Sequence, residues 1–119
     1  MAYPWDDLVS FYIGCSFAFE EKMLAAGIPL KHFAEKRCVS MFPTNVQCVP
    51  VGSFASPLVV SMRPVPKDLV EKALIVSAPY DELHGAPVHI GDPSVIGIED
   101  LYNSALGEPS DIGDLIPMF

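Results

Sequence analysis

Basic residues are scarce in this sequence: seven lysines and arginines stand against 15 aspartates and glutamates, for a formal net charge of -8. A surface of that sign repels phosphate groups, so the composition argues against nucleic acids and anionic membranes as partners. An anionic substrate would have to be held by a local cation. With so few cations in the chain, each arginine is a candidate for that role.

Cysteine is scarce as well. The three cysteines, Cys15, Cys38 and Cys48, cannot all pair within one chain, and no two of them have the C-x-x-C spacing of redox or zinc motifs. Unpaired thiols are typical of a reducing compartment. We therefore expect an intracellular protein.

Long hydrophobic runs are also missing. The longest apolar stretch, from Leu8 to Phe19, is interrupted by Ser10, Gly14 and Ser16 and is shorter than the roughly 20 residues that cross a bilayer. The start of the chain has neither the basic region of a signal peptide nor an arginine-rich transit segment. We expect no association with a membrane.

What the chain does have is enough apolar residues for one core. Half of its 119 residues are hydrophobic and the mean hydropathy is +0.34, which predicts a single folded domain over residues 1–119. Twelve prolines and eight glycines indicate short elements joined by turns.

Capping patterns and apolar spacing predict several helices. They cover Pro4 to Ile13, Ser16 to Gly27, Pro66 to Ser77 and, as a short helix, Val95 to Leu101. Residues 28–45 are predicted to be an irregular connection, since Pro29 and Pro43 break regular structure.

Three apolar or β-branched runs predict strands. They are Val46 to Val51, Leu58 to Met62 and Pro87 to Ile90. The order strand, helix, strand between Leu58 and Ile90 is that of a βαβ unit. The predicted fold class is therefore α/β, with a short mixed or parallel sheet and flanking helices.

The segment from His84 to Pro93 holds two histidines, a carboxylate and two glycines within ten residues. If its centre is a strand, His89 and Asp92 lie at the carboxyl end, where ligands dock in α/β sheets. Imidazole titrates near neutral pH, so this pair is the candidate general acid and base. The alternatives are a core histidine and a turn-forming or helix-capping aspartate.

Five blocks of this sequence, taken in order, resemble the D-glutamate cyclase family of hydro-lyases. The blocks are Phe11 to Glu20, Ala26 to Pro29, Met41 to Asn45, Pro57 to Pro64, and His84 to Pro93 with Ile96 to Ile98. The resemblance extends from about Leu8 to Asp114 and covers the central portion of a longer family domain.

This resemblance implies a lyase that interconverts D-glutamate and 5-oxo-D-proline with loss or gain of water. It implies no organic cofactor. A member from a bacterium would be cytoplasmic, and one from an animal would lie in the mitochondrial matrix.

Cyclisation of glutamate requires a base for the ammonium group, an acid for the leaving oxygen and a clamp for the other carboxylate. Arg63, at the end of a predicted strand, is the candidate clamp because guanidinium can hold a carboxylate bidentately. The alternative is that Arg63 forms an ion pair with one of the protein's own acids.

Other residues are candidates for binding the substrate. Gly14, Cys15 and Ser16 precede a predicted helix, whose first N–H groups attract an anion and stabilise a thiolate. Thr44 and Asn45 could contact the substrate or form an Asx-type turn. His84 is a weaker candidate, because a His-Gly pair before a strand is an ordinary loop.

Metal chemistry is a further alternative, since His84, His89 and Asp92 are metal-binding residue types. Their spacing matches no zinc motif, so no metal site is predicted. Two other functions stay open: a hydratase or metal-assisted hydrolase of another small carboxylic acid, and a non-catalytic domain that binds a carboxylate or forms a homo-oligomer.

Overall fold

The computed structural model describes residues 6–119. The helices are α1 (Phe17–Ala25), α2 (Lys31–Glu35) and α3 (Val70–Ser77), and the strands are β1 (Met41–Gln47), β2 (Pro57–Ser61), β3 (Arg63–Val65) and β4 (Ile116–Met118). Short 3-10 helices cover Lys67–Leu69, Ala78–Leu83 and Pro93–Ile96.

The strands form two separate antiparallel pairs. Strand β1 pairs with β2, with an irregularity between Pro43 and Gln47, and β3 pairs with β4 so that Arg63 lies opposite Met118. The α/β class is confirmed. The parallel βαβ arrangement is wrong, since every strand pair in the described part of the chain is antiparallel.

Residues 87–90, predicted as the last strand of the βαβ unit, cannot complete that unit. Pro87 has no N–H to donate, and the N–H groups of Val88 and His89 both donate to the Phe119 carbonyl oxygen. Only Ile90 makes a bridge, to Met118. Residues 87–90 therefore pair with the C-terminal segment and not with β2.

Two of the predicted helices are confirmed. Helix α1 begins after Ser16, and Gly27 follows it with a φ of 77°, which a glycine adopts without strain. The predicted helix from Pro66 to Ser77 is present as a 3-10 turn leading into α3.

Four other local predictions are wrong. The predicted strand from Val46 to Val51 overlaps β1 only at residues 46–47. Residues 1–5 lie outside the described part, and residues 8–13 of the predicted first helix are not helical. The predicted helix from Val95 is a 3-10 turn, Pro93–Ile96. Residues 28–45 are not irregular throughout, because they contain α2 and the start of β1, where burial of Phe42 and Thr44 gives the alternation of a strand.

Two clusters of buried side chains form the core. One joins α1, α3 and β3 through Phe19, Met23, Val65 and Ala73 among others. The other joins the β1–β2 hairpin to the C-terminal segment through Phe42, Val60, Met62 and Phe119 among others. None of the helices in residues 6–119 is long and apolar enough to cross a membrane.

Candidate functional site

A cavity of about 540 Å³ is bounded by the start of α1, the β1–β2 hairpin, residues 84–88 and the C-terminal segment. Its volume is in the range of small-molecule sites, about 300–1,000 Å³. Four of the predicted substrate-binding residues line it: Cys15, Ser16, Arg63 and His84. Residues far apart in the sequence therefore meet at one cavity.

Arg63 is the one lysine or arginine in the described lining of this cavity, and its guanidinium is hydrogen-bonded to two side chains at the start of α1. Nε and Nη2 of Arg63 both donate to Oε1 of Glu20, at 3.0 and 2.6 Å. Nη2 also donates to the Ser16 hydroxyl at 3.0 Å. The Nε–Nη2 edge of the guanidinium is thus occupied by an internal ion pair, while Nη1 makes no hydrogen bond to a described residue.

Glu20 is the partner that the sequence analysis missed. Its side chain lies on α1 one turn after Ser16 and is only 5% exposed. His32, on α2, approaches the same oxygen, with Nε2 3.1 Å from Oε1, although the ring is not aligned for a regular hydrogen bond. The signal available in the sequence was the four-residue spacing of Ser16 and Glu20, which puts both on one face of a helix.

The charge state of Glu20 follows from these neighbours. Burial alone would raise the pKa of its carboxyl group, but the close contacts with His32 and Arg63 and the positive charge of Arg63 outweigh burial. The pKa of Glu20 is therefore below its ordinary value, and the carboxylate is charged at neutral pH.

The start of α1 brings two more predicted residues to the cavity. Ser16 is half-buried and Cys15 is exposed with a free thiol. Gly14 does not line the cavity but packs under the neighbouring loop, where a Cβ would meet Cδ2 of Leu83. This start of a helix is the one that the sequence analysis named for anion binding.

The loop that carries His84 is fixed by its neighbours. His84 is exposed and adopts a left-handed conformation at the end of the 3-10 helix. A Cβ on Gly85 would lie 2.3 Å from the Ser77 carbonyl oxygen, so the tight approach to α3 requires glycine. Asp81, which no sequence argument singled out, lines the same cavity as His84.

His89 and Asp92 do not line the cavity. The His89 ring stacks on Phe119, with ring centroids 6.2 Å apart, and donates through Nε2 to the Asp92 carbonyl oxygen at 2.7 Å. The Asp92 carboxylate accepts from the Ser94 N–H, which lowers the pKa of Asp92 below its usual value. Asp92 has the helix-capping geometry of the alternative interpretation, and neither residue of the pair belongs to the cavity lining.

Thr44 and Asn45 make structural contacts away from the cavity. The buried Thr44 hydroxyl donates to the Leu58 carbonyl oxygen at 2.8 Å and accepts from the Val46 N–H, which supports the irregular part of the hairpin. Asn45 donates through Nδ2 to the Val95 carbonyl oxygen. Thr44 therefore stabilises the hairpin internally, and Asn45 joins it to the 3-10 helix Pro93–Ile96.

The cysteines and acids suggest no further centre. All three cysteines are free. Within residues 6–119, no group of three His, Cys, Asp or Glu side chains is close enough to hold a metal ion.

The family model and the relatives that match this chain agree on one family. Residues 9–119 match the family model described as D-glutamate cyclase. A Rhodopseudomonas palustris protein is 52% identical over 116 residues, one from Corynebacterium glutamicum is 50% identical over 112, and one from Stutzerimonas stutzeri is 46% identical over 115. Each carries the name "Putative hydro-lyase".

These alignments cover most of this chain and less than half of the relatives. They include 96%, 90% and 96% of the chain, in the same order, and 42%, 42% and 43% of the three relatives. The chain thus spans less than half the length of the curated relatives that it matches.

Proposed function

The chain belongs to the D-glutamate cyclase family, and from that premise we propose that it is a lyase interconverting D-glutamate and 5-oxo-D-proline with loss or gain of water. The observation that carries the proposal is the shared cavity. Cys15, Ser16, Arg63 and His84 come from three separate parts of the chain and line it together. The reaction needs a cation to hold one carboxylate and two groups that move protons, a base and an acid.

Arg63 is proposed to bind the α-carboxylate. Its Nη1 group has no hydrogen-bond partner among the described residues, while Glu20 and Ser16 hold Nε and Nη2. A side chain already fixed by its neighbours loses little freedom when a ligand binds. Glu20 is in this scheme a positioning residue.

The acid and base are proposed to be His84 and Asp81. Both line the cavity, whereas His89 and Asp92 do not. A group that takes a proton from the substrate ammonium must come within hydrogen-bond reach of it. The pair named from the sequence, His89 and Asp92, is proposed instead to support the wall that contains Phe119.

The proposal also covers the cofactor requirement and the location of the protein. Loss of water from glutamate changes no oxidation state, so the reaction requires no redox cofactor. We propose a cytoplasmic location, in line with three free cysteines and with the bacterial relatives named above.

Calorimetric titration tests this function. D-glutamate and 5-oxo-D-proline, each compared with its L-enantiomer, are titrated into the wild-type chain and into Arg63→Lys. We expect stereoselective binding that weakens about 10- to 100-fold in the variant, the cost of losing a hydrogen bond to a charged group. Far-UV circular dichroism checks that the variant is folded. Absence of stereoselective binding to the folded wild-type chain would refute the proposal.

A second candidate, a non-catalytic carboxylate-binding domain that assembles with another polypeptide, is favoured by one observation. Apolar side chains before α1 are unusually exposed: Phe11 is 80%, Tyr12 101% and Ile13 84% exposed. Contiguous exposed apolar residues mark interaction surfaces. Gel filtration with light scattering, together with a turnover assay, separates the two functions, because the second predicts assembly and ligand binding without turnover.

A further inference from the structure

The cavity offers a substrate very little charge. Arg63 is the one lysine or arginine in the described lining, and Asp81 is the one carboxylate. Most other lining side chains are apolar, including Phe19, Met23 and Val60. D-glutamate brings two carboxylates and an ammonium group, so one carboxylate meets no lysine or arginine among residues 6–119 of the lining.

His84 does not change this balance. If its imidazole is protonated, the charge of Asp81, which lines the same cavity three residues earlier, offsets it. Glu20 holds Nε and Nη2 of Arg63, so the Nη1 group, which has no partner among the described residues, is left for a single carboxylate. The second carboxylate of the substrate would therefore enter a largely apolar space without a counter-ion.

We infer that D-glutamate binds with its γ-carboxyl group protonated and neutral, packed on the apolar wall, while Arg63 holds the α-carboxylate. This inference rests on the proposed function and deepens it. Removing an ionised carboxylate from water without a partner is so unfavourable that such groups take up a proton instead. The site thereby selects the uncharged form of one end of its substrate.

The neutral γ-carboxyl group is also the form that reacts. Its carbonyl carbon is an electrophile, whereas a carboxylate resists attack by an amine. The ammonium group first gives one proton to the base, and the amine lone pair then forms the C–N bond. The C–O bond to the hydroxyl group breaks, and that group leaves as water with a second proton from nitrogen.

The protons balance over a full cycle. Glutamate takes up one proton from solvent on binding, and the base later returns one to solvent. The products are the 5-oxo-D-proline anion and water, with no change in oxidation state. The other ligand, 5-oxo-D-proline, carries one carboxylate and a neutral lactam, so it binds without proton uptake.

Titration calorimetry in buffers of different ionisation enthalpy measures the proton uptake directly. D-glutamine is the matched control ligand, since its neutral amide mimics the protonated γ-carboxyl group. We expect uptake of about one proton for D-glutamate near pH 7, and none for D-glutamine or 5-oxo-D-proline. The affinity for D-glutamate should fall about tenfold for each pH unit above neutrality relative to that for 5-oxo-D-proline.

His84→Gln and Asp81→Asn locate the proton. If it is on the ligand, the uptake persists in both variants even where affinity falls. Uptake that disappears with His84→Gln, or D-glutamate binding to the wild-type chain without uptake, would overturn the inference and leave the proposed function standing. Absence of stereoselective binding to any of these ligands would overturn both.

Discussion

Replacement of Glu20 by glutamine should strongly destabilise the fold, because Glu20 is the only described carboxylate paired with the buried Arg63. Glutamine keeps the volume and one acceptor oxygen but removes the countercharge. Breaking a buried ion pair from one side costs about 3–5 kcal/mol. That is a large part of the total stability of a domain, about 5–15 kcal/mol.

Urea denaturation followed by circular dichroism measures the loss. Glu21→Gln is the matched control, since Glu21 is the next residue of α1 and is exposed. We expect Glu21→Gln to change the free energy of unfolding by less than about 0.5 kcal/mol. If Glu20→Gln lowers the free energy of unfolding by less than about 1 kcal/mol, the reasoning that the ion pair supports the fold is refuted.

The pH dependence provides a second check on the same pair. The folded-state pKa of Glu20 is below its ordinary value of 4.5, so the stabilisation is fully present above that value and is lost as the pH falls through the folded-state pKa. The stability difference between wild type and Glu20→Gln should therefore shrink on acidification. A difference that grows as the pH falls would contradict the assigned direction of the pKa shift.

Three other predictions concern the cavity. His84→Gln should lower turnover of D-glutamate about 10²- to 10⁴-fold, the usual contribution of a general acid or base, while the loss in His89→Gln should be less than a tenth of that. A chromatographic assay of 5-oxo-D-proline compares the two variants. Equal losses of turnover would contradict the assignment of His84. Gly85→Ala should destabilise the chain by about 1–3 kcal/mol, because a Cβ would lie 2.3 Å from the Ser77 carbonyl oxygen; thermal melting checks this against Ala55→Ser, an exposed control. Bound 5-oxo-D-proline should slow alkylation of Cys15 but not of Cys48, since only Cys15 lines the cavity. Peptide mass spectrometry measures both alkylation rates. If the Cys15 rate is the same with and without ligand, the ligand binds elsewhere.

Local sequence patterns predicted the helices that carry their own boundary signals. Ser16 and Gly27 bound α1, and Pro66 precedes the turn that leads into α3. The residues of the cavity at positions 15, 16, 63 and 84 were also named from the sequence. Their types, a cation, small polar groups at a helix start and an imidazole, suit a carboxylate ligand wherever the chain brings them together.

The errors lie where structure depends on distant partners. The alternating pattern around His89 indicated a strand in a sheet with β2, but its backbone hydrogen bonds go to Phe119 and Pro117. No local pattern specifies that pairing. Nothing local to α1 indicates a special role for Glu20, and only the arrival of Arg63 on β3 makes it a buried ion-pair partner.

The pairing of β3 with β4 has a consequence for how the site forms and opens. Arg63 pairs with Met118 across almost half of the chain, and such long-range pairing forms slowly because loop-closure entropy must first be overcome. The β1–β2 hairpin can form without it, but the wall containing Phe119 cannot. A partial opening that releases β4 would therefore remove the cavity while leaving the hairpin folded. A bound ligand should slow amide exchange most at residues 88–91 and at Ile116, Met118 and Phe119.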